Sequence, residues 1–375
     1  MADAAPLNPL IQYPRVQFAY GAVRSLPVEL EHLKVSRPLF VTDQGVVKAG
    51  LFDKVRDAMP GVHAVFNQVP ENPTVEGVER ALAIYRERGC DGVVSVGGGS
   101  VIDSAKAVAV MAGHPGRITD YMGKPGKIGP HAAPHVAIPT TAGTGSEVSR
   151  GAGIHPSATA RGNGINGPYV VPRVAICDPE LTLTMPRHLT AATGMDALSH
   201  AVEGYLAKGE HPPGDAIALD AIRRVVTWLP RAVEDGSNRE ARWHMMMAAT
   251  EAMLVAKGLG AAHALANTFG DQGLHHGTLV TIALPAVLRR LDAHVGDRMK
   301  QLAHAMGLEP GRHPAAGIAD LNERFGIPAD LHRYGYKLAD LDEAAEESHK
   351  SFFNHTAPHH PSKEEYRQMI EELIG

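Results

Sequence analysis

Four residues in the second half of the chain have types and spacing that could hold one metal ion: Asp196, His200, His263 and His276. Asp196 and His200 stand four apart in GMDALSH (194–200). On a helix, positions i and i+4 project from one face, so a carboxylate and an imidazole there can close on a single ion. His263 lies in GLGAAH (258–263) and His276 in LHHGT (274–278). Three imidazoles and one carboxylate form a mixed nitrogen and oxygen set that suits Fe(II) or Zn(II), unlike an all-oxygen calcium or magnesium cage. A single histidine at helical spacing is more often structural; the four together, in these contexts, reverse that balance.

The elements that must position these groups change character along the chain. In the first half, short apolar runs alternate with helical periodicity. RPLFVTD (37–43), HAVFNQV (63–69), DGVVSVGGGS (91–100) and HVAIPTT (135–141) read as strands, and VEGVERALAIYRERG (75–89) and VIDSAKAVAVMA (101–112) as helices. This order predicts a parallel sheet with helices on both faces. Segment 151–174 is rich in glycine and proline and reads as an irregular or hairpin region. From about residue 187 the periodicity is helical, as in 215–235 and 239–260. The expected domains are 1–185, α/β and dinucleotide-binding, and 186–375, all-helical and carrying the four ligand candidates.

Two turns in the first half could face a phosphorylated ligand. GGGS (97–100) follows a strand and opens a helix, whose free N–H groups and positive dipole end suit a pyrophosphate. It is not GxGxxG, and such a turn can also be only a tight connection. No GK[ST] follows it, which argues against phosphoryl transfer. Asp103, three residues on, would either cap the helix or orient water at a phosphate. The second turn, TTAGTGSEVS (140–149), could line the same crevice. Asp43 ends the first of these strands; a carboxylate there can accept from ribose hydroxyls and repel a 2′-phosphate, favouring NAD over NADP, or can simply serve the turn.

Composition sets the bounds. With 375 residues, 44% hydrophobic and 21% charged, the chain can fill two cores. A net charge of −5 argues against general nucleic-acid binding. Cys90 and Cys177 read as core thiols, not a disulfide, which fits a reducing compartment. The first residues lack a signal-peptide pattern, and no apolar run approaches about 18 residues. A cytoplasmic protein without membrane partners is expected.

These motifs together resemble the iron-containing (group III) alcohol dehydrogenases over essentially the whole chain. GGGSVIDSAK (97–106) is similar to the family's pyrophosphate loop and PTTAGTGSEVS (139–149) to its nicotinamide-side loop. CDPELTLTMPRHLTAATGMDALSHAVE (177–203) resembles its signature in the order of Asp178, Pro186, Asp196 and Glu203. GLGAAHALA (258–266) and HHGTLVTIALP (275–285) resemble the last metal segments. Within the family the nearest resemblance is to the branch acting on 4-hydroxybutyrate. The resemblance implies a dehydroquinate synthase-like fold, a Rossmann-like NAD(P) domain followed by a helical domain, with catalysis in the cleft between them. It implies Asp196, His200, His263 and His276 as metal ligands. It implies Asp43, Asn72, Gly98, Gly99, Ser100, Asp103, Thr140, Thr141, Thr144 and Leu181 as cofactor contacts. A homodimer or larger homo-oligomer is implied as well.

The chain departs from the family pattern at its substrate end. Asn267 stands where the family has a second histidine, and an amide cannot act as acid or base near neutral pH. Val280 replaces an asparagine, Gly162 with Arg161 beside it replaces a lysine, and TAPH (356–359) replaces TNPR. The expectation is an NAD- and metal-dependent alcohol dehydrogenase or aldehyde reductase acting on a primary or ω-hydroxy alcohol that can carry a carboxylate. Its metal would act as a Lewis acid on the substrate oxygen. His275 is a candidate for proton transfer, although adjacent helical residues point about 100° apart. His355 and His359 are other candidates, or surface histidines. Arg150, Lys257, Asn267 and His359 are candidates for the substrate end. The alternatives are a metal-free reductase resembling maleylacetate reductases and a nucleotide-binding relative without turnover.

Overall fold

The computed structural model describes residues 14–59, 61, 64–157, 160, 163–254, 257–272 and 274–375. Arg161 and Gly162, at one of the departures noted above, lie outside the described residues. The first half is a six-stranded sheet built from β1 (Arg15–Phe18), β2 (Pro38–Val41), β3 (Ala64–Phe66), β4 (Gly92–Gly97), β5 (His135–Pro139) and β8 (Val174–Cys177). Their order is β1-β8-β5-β4-β2-β3 and every pairing is parallel. β6 (Gly151–Ile154) and β7 (Asn163–Asn166) form a separate antiparallel hairpin inside the glycine-rich segment.

Both sheet faces are buried, which is why the strands read as unbroken apolar runs. Leu39, Val41 and Val93 point into one core with α4 (Val75–Glu87) and α5 (Gly99–Gly113). Phe40, Val94 and Val96 point into another with α1 (Leu26–His32), α2 (Gln44–Lys48) and α3 (Leu51–Ala58). β1 was not legible in the sequence: it is a four-residue edge strand, only half-buried, whose Gln17 amide donates to Glu29 at 2.6 Å. Cys177 is buried and free at the end of β8, whereas Cys90, expected in a core, is free and half-buried before β4.

From Arg187 onward the described residues form helices without strands. α6 (Arg187–Leu206), α7 (Pro212–Glu234), α8 (Arg239–Leu254), α9 (Ala261–Thr268) and α10 (His276–Arg289) enclose one core. α11 (Asp292–Val295), α12 (Arg298–Ala305), α13 (Pro314–Phe325), α14 (Leu341–Lys350) and α15 (Lys363–Ile374) complete this half. α8 is described as far as Leu254, and Lys257–Gly260 runs as an irregular link into α9, so the helix expected across 239–260 does not reach its expected end. α6 is buried from Thr190 to Leu206, so over that span it has no solvent-exposed face. No helix among the described residues is long and apolar enough to cross a membrane.

His135 tests the sheet core. Its Nε2 pairs with Ser95 Oγ at 2.8 Å, while its buried Nδ1 has no partner. Burial, with nearby Lys106, pulls the imidazole down to about 3. The unfolded chain therefore takes up a proton that the folded chain refuses between pH 6.5 and about 3, and stability falls as pH falls through that window. In His135→Gln the stability slope across this window should flatten by up to about 1.4 kcal/mol per pH unit, as read by urea unfolding.

Candidate active site

The sheet order places a crevice. β2 leads outward to β3, while β4 leads the other way to β5, so the connections diverge outside the carboxyl ends of β2 and β4. Ligands of open α/β sheets bind at such a switch point. Asp43 lies just beyond β2, where its Oδ1 accepts from Val46 N at 2.9 Å and caps α2. The Gly97–Ser100 turn lies just beyond β4 and opens α5, with Gly98 at the N-cap and no side chain capping the first N–H groups. Ser100 Oγ donates to the Glu71 carbonyl, which draws the loop carrying Asn72 against this turn.

The second turn packs directly on the first. A Cβ on Gly99 would sit 2.6 Å from Thr144 Cγ2, and one on Gly98 would sit 3.2 Å from Thr141 Cγ2. Thr140 N donates to Gly97 O at 3.0 Å. Asp103 does not cap α5. Its Oδ1 accepts from Ser146 Oγ at 2.5 Å and its Oδ2 from Gly153 N at 2.8 Å. The buried Lys106 completes the clamp, with Nζ donating to Ser146 Oγ at 2.9 Å, Ser149 Oγ at 2.8 Å and Gly151 O at 2.7 Å. Leu181 lies in the core beside the sheet, 1% exposed.

The same loop reaches the second half. A Cβ on Gly143 would sit 2.6 Å from both Cβ and O of Thr193, one turn before Asp196 on α6. Glu147 Oε1 accepts from Thr250 Oγ1 of α8 at 2.9 Å. The loop is therefore held between the glycine turn and the helix that carries two of the four ligand candidates.

Those candidates converge. One donor atom each from Asp196, His263 and His276 lies within 4.8 Å of the others. His200 Nε2 and His263 Nε2 lie 3.9 and 4.0 Å from Asp196 Oδ1. The His200 and His263 rings stack at 4.7 Å. Two donors each about 2.1 Å from one ion stand at most about 4.2 Å apart, so closing the set on an ion asks for only small shifts. Asp196 Oδ1 and His263 Nε2 are buried and have no hydrogen-bond partner among the described residues. Unpaired buried polar atoms are costly, and an ion between them would satisfy both. Burial raises the Asp196 carboxyl, but His200, His276 and His263 outweigh it and hold it below the usual aspartate range. Burial lowers the His200 imidazole, favouring the neutral ring that a metal needs.

Other sequence candidates fall in different places. His275 caps α10; its N–H donates to Tyr334 Oη at 3.2 Å, and its buried Nδ1 has no partner among the described residues. Asn267 is half-buried one turn after His263, and Val280 is fully buried. Arg150 is exposed, with no ion pair among the described residues. Lys257 is engaged elsewhere: Nζ pairs with Asp215 Oδ1 at 2.9 Å and donates to Tyr205 O at 3.0 Å and Gly209 O at 3.3 Å. His359 pairs with Glu365 at 2.8 Å and stacks on His294, and His355 is exposed. Sequence reasoning missed Lys106, Phe353, whose ring packs 5.7 Å from that of His263, and the part played by Glu203.

Comparison with known proteins covers the same span. The model described as iron-containing alcohol dehydrogenase matches residues 14–179, and its Fe-containing C-terminal counterpart matches 190–374. The 4-hydroxybutyrate dehydrogenase of Cupriavidus necator is 43% identical, covering 96% of this chain and 98% of its own. A crystal structure of a 1,3-propanediol oxidoreductase superposes with a TM-score of 0.91 at 34% identity, covering 97% and 99% of the two chains. A sulfoacetaldehyde reductase from Bifidobacterium kashiwanohense in complex with NAD+ superposes at 0.90 with 29% identity, covering 99% and 100%.

The Gly99→Ala chain should fold but bind NADH about tenfold more weakly by fluorescence quenching, a loss of ~1.4 kcal/mol. Unchanged affinity would mean that Thr144 yields and that the close approach of the two turns is not needed.

Proposed function

The chain belongs to the iron-containing alcohol dehydrogenase family, oxidoreductases acting on CH–OH groups, and on that premise we propose that it interconverts a short ω-hydroxy compound and its aldehyde, using NAD(H) and a divalent metal. The observation that carries the reading is the pair of buried, unpaired atoms Asp196 Oδ1 and His263 Nε2, with His200 and His276 beside them. The donor set suits Fe(II), with Zn(II) as the alternative. Bound there, a metal supplies a Lewis acid toward the substrate oxygen, and the nicotinamide supplies or takes the hydride.

The chain's own residues orient these partners. The glycine turn presents free N–H groups at the start of α5 to the pyrophosphate. Asp43 stands at the ribose end of the crevice, and its charge favours NAD over NADP. Thr141 and Thr144 bridge from that turn toward α6. His276 is the exposed member of the ligand set and so faces the approach of substrate. Arg150, exposed and without an ion pair, is the cation we assign to an anionic substrate end; Lys257 is already occupied. The relatives named for 4-hydroxybutyrate and sulfoacetaldehyde support a substrate with an anionic terminus.

The first experiment is metal analysis of anaerobically purified protein, with turnover of ω-hydroxy acids, diols and their aldehydes using NADH and NADPH. His276→Ala should lose metal and about a thousandfold in turnover, as expected for several kcal/mol of Lewis-acid stabilisation, yet still quench NADH. Turnover that persists without metal sinks the metal mechanism and favours the metal-free reductase.

With no imidazole at Asn267, His275 is the proton acceptor we assign, through its unpaired Nδ1. His275→Gln should slow turnover by about a hundredfold with metal content intact. A variant as fast as the parent would route the proton directly to water.

A further inference from the structure

We propose that Glu203 is a positioning residue of the metal centre: it fixes which nitrogen of His263 faces the ion and anchors the start of the helix that carries it. This rests on the metal-dependent reading above. Asp196, His200 and Glu203 stand at i, i+4 and i+7 on α6, so one buried helix face carries all three. Glu203 is not a member of the donor cluster of Asp196, His263 and His276.

Its hydrogen bonds account for both jobs. His263 Nδ1 lies 2.6 Å from Glu203 Oε2. A carboxylate can only accept, so Nδ1 carries the hydrogen and the lone pair sits on Nε2, the atom near Asp196. The other bonds come from the backbone. Gly260 N donates to Oε2 at 2.9 Å and Ala262 N donates to Oε1 at 2.8 Å. Those N–H groups belong to the first turn of α9 and its N-cap, which have no helical acceptors of their own. Glu203 thus caps α9 from a different helix. A Cβ on Gly260 would sit 2.9 Å from Oε1, so glycine is what lets the backbone come this close.

Two backbone N–H groups, of Gly260 and Ala262, donate into the carboxylate, an arrangement that suits its ionised, acceptor-only form. An ionised acceptor also makes the imidazole a better donor to a metal through its other nitrogen. Among the described residues His263 Nδ1 has this one partner in hydrogen-bonding range. Among the described residues neither His200 nor His276 has a carboxylate bonded to its ring in this way.

The test is metal affinity, not turnover. Metal-free protein would be titrated with Zn(II) against a chromophoric chelator, and with Co(II) while its ligand-field absorption is followed. Glu203→Gln keeps the shape, weakens the acceptor and turns an N–H₂ toward a backbone donor. It should bind Zn(II) roughly 10–100-fold more weakly and shift the Co(II) bands, with NADH quenching intact and the metal-free melting temperature little changed. Zinc affinity within a few-fold of the parent overturns the proposal. So does a loss of affinity matched by a collapse of the metal-free melting temperature and of NADH binding, since that is a fold effect alone. If Glu203→Gln does not fold, Gly260→Ala, which presses on Oε1 while keeping the charge, should still weaken zinc several-fold; unchanged affinity there overturns the proposal. A parent protein that binds neither metal sinks the metal centre itself, a result distinct from a parent that binds and a variant that binds equally well.

Discussion

Everything functional in this fold depends on one loop, Thr140–Ser149, making contact on three sides at once. It leaves the carboxyl end of β5 and packs on the glycine turn through Thr141 and Thr144. It packs on α6 at Thr193 and on α8 at Thr250. Gly143 and Gly145 make the helix contacts feasible, since a Cβ on Gly145 would meet Ala249 O at 2.6 Å. Gly145 also has φ +56°, a conformation L side chains rarely adopt. The separation between the glycine turn and the cluster of Asp196, His263 and His276 is therefore set by closely packed backbone.

Holding such a loop rigid requires polar groups in the interior. Lys106 is buried, and burial lowers its ammonium against the pull of Asp103 and Glu147. Its three hydrogen bonds and the two that Asp103 accepts join α5, the loop and β6. A buried charged network of this kind is a poor source of net stability, since desolvation offsets most of the attraction. What it supplies is uniqueness: any slip of the loop strands several buried donors and acceptors at once. Rigidity here is consistent with hydride transfer, where an error of about an ångström is costly.

How much of this was legible in the sequence follows from range. The parallel sheet, the glycine turn opening α5 and the helical second half were readable because short apolar strand runs and helical periodicity are local. Asp196 and His200 were readable as a pair because i and i+4 on a helix is also local. β1 was not, because RVQF is short, half-polar and stabilised by its pairing with β8 more than 150 residues on. Lys106 and Asp103 were not readable as a clamp because their partners, Ser146 to Gly153, come from a separate turn. Lys257 looked free for a substrate, but Asp215, which engages it, lies on α7, far from it along the chain. Glu203 was visible as part of a motif; its action on His263 depends on α9 crossing α6, and spacing along the chain carries no information about that.

Some of the departures in sequence follow the same line as the rigidity, whereas Val280 is buried within α10. The ligand set, the glycine turn and the loop are tied to several elements each, so a change in any of them disturbs the geometry of all. Asn267 and the segment 351–360 are tied to fewer. That segment meets the ligand set where Phe353 packs on His263, and it is anchored by Thr356 donating to Leu259 O at 2.7 Å and by Asn354 donating to Ser348 O at 2.8 Å. Phe352, beside it, is 56% exposed. An aromatic pair at this edge can change the shape of the substrate end without moving Asp196 or Glu203, because neither bonds to it. Change at 267 and in 351–360 therefore leaves the bonds of Asp196 and Glu203 in place, and it reaches the ligand set only through the contact of Phe353 with His263.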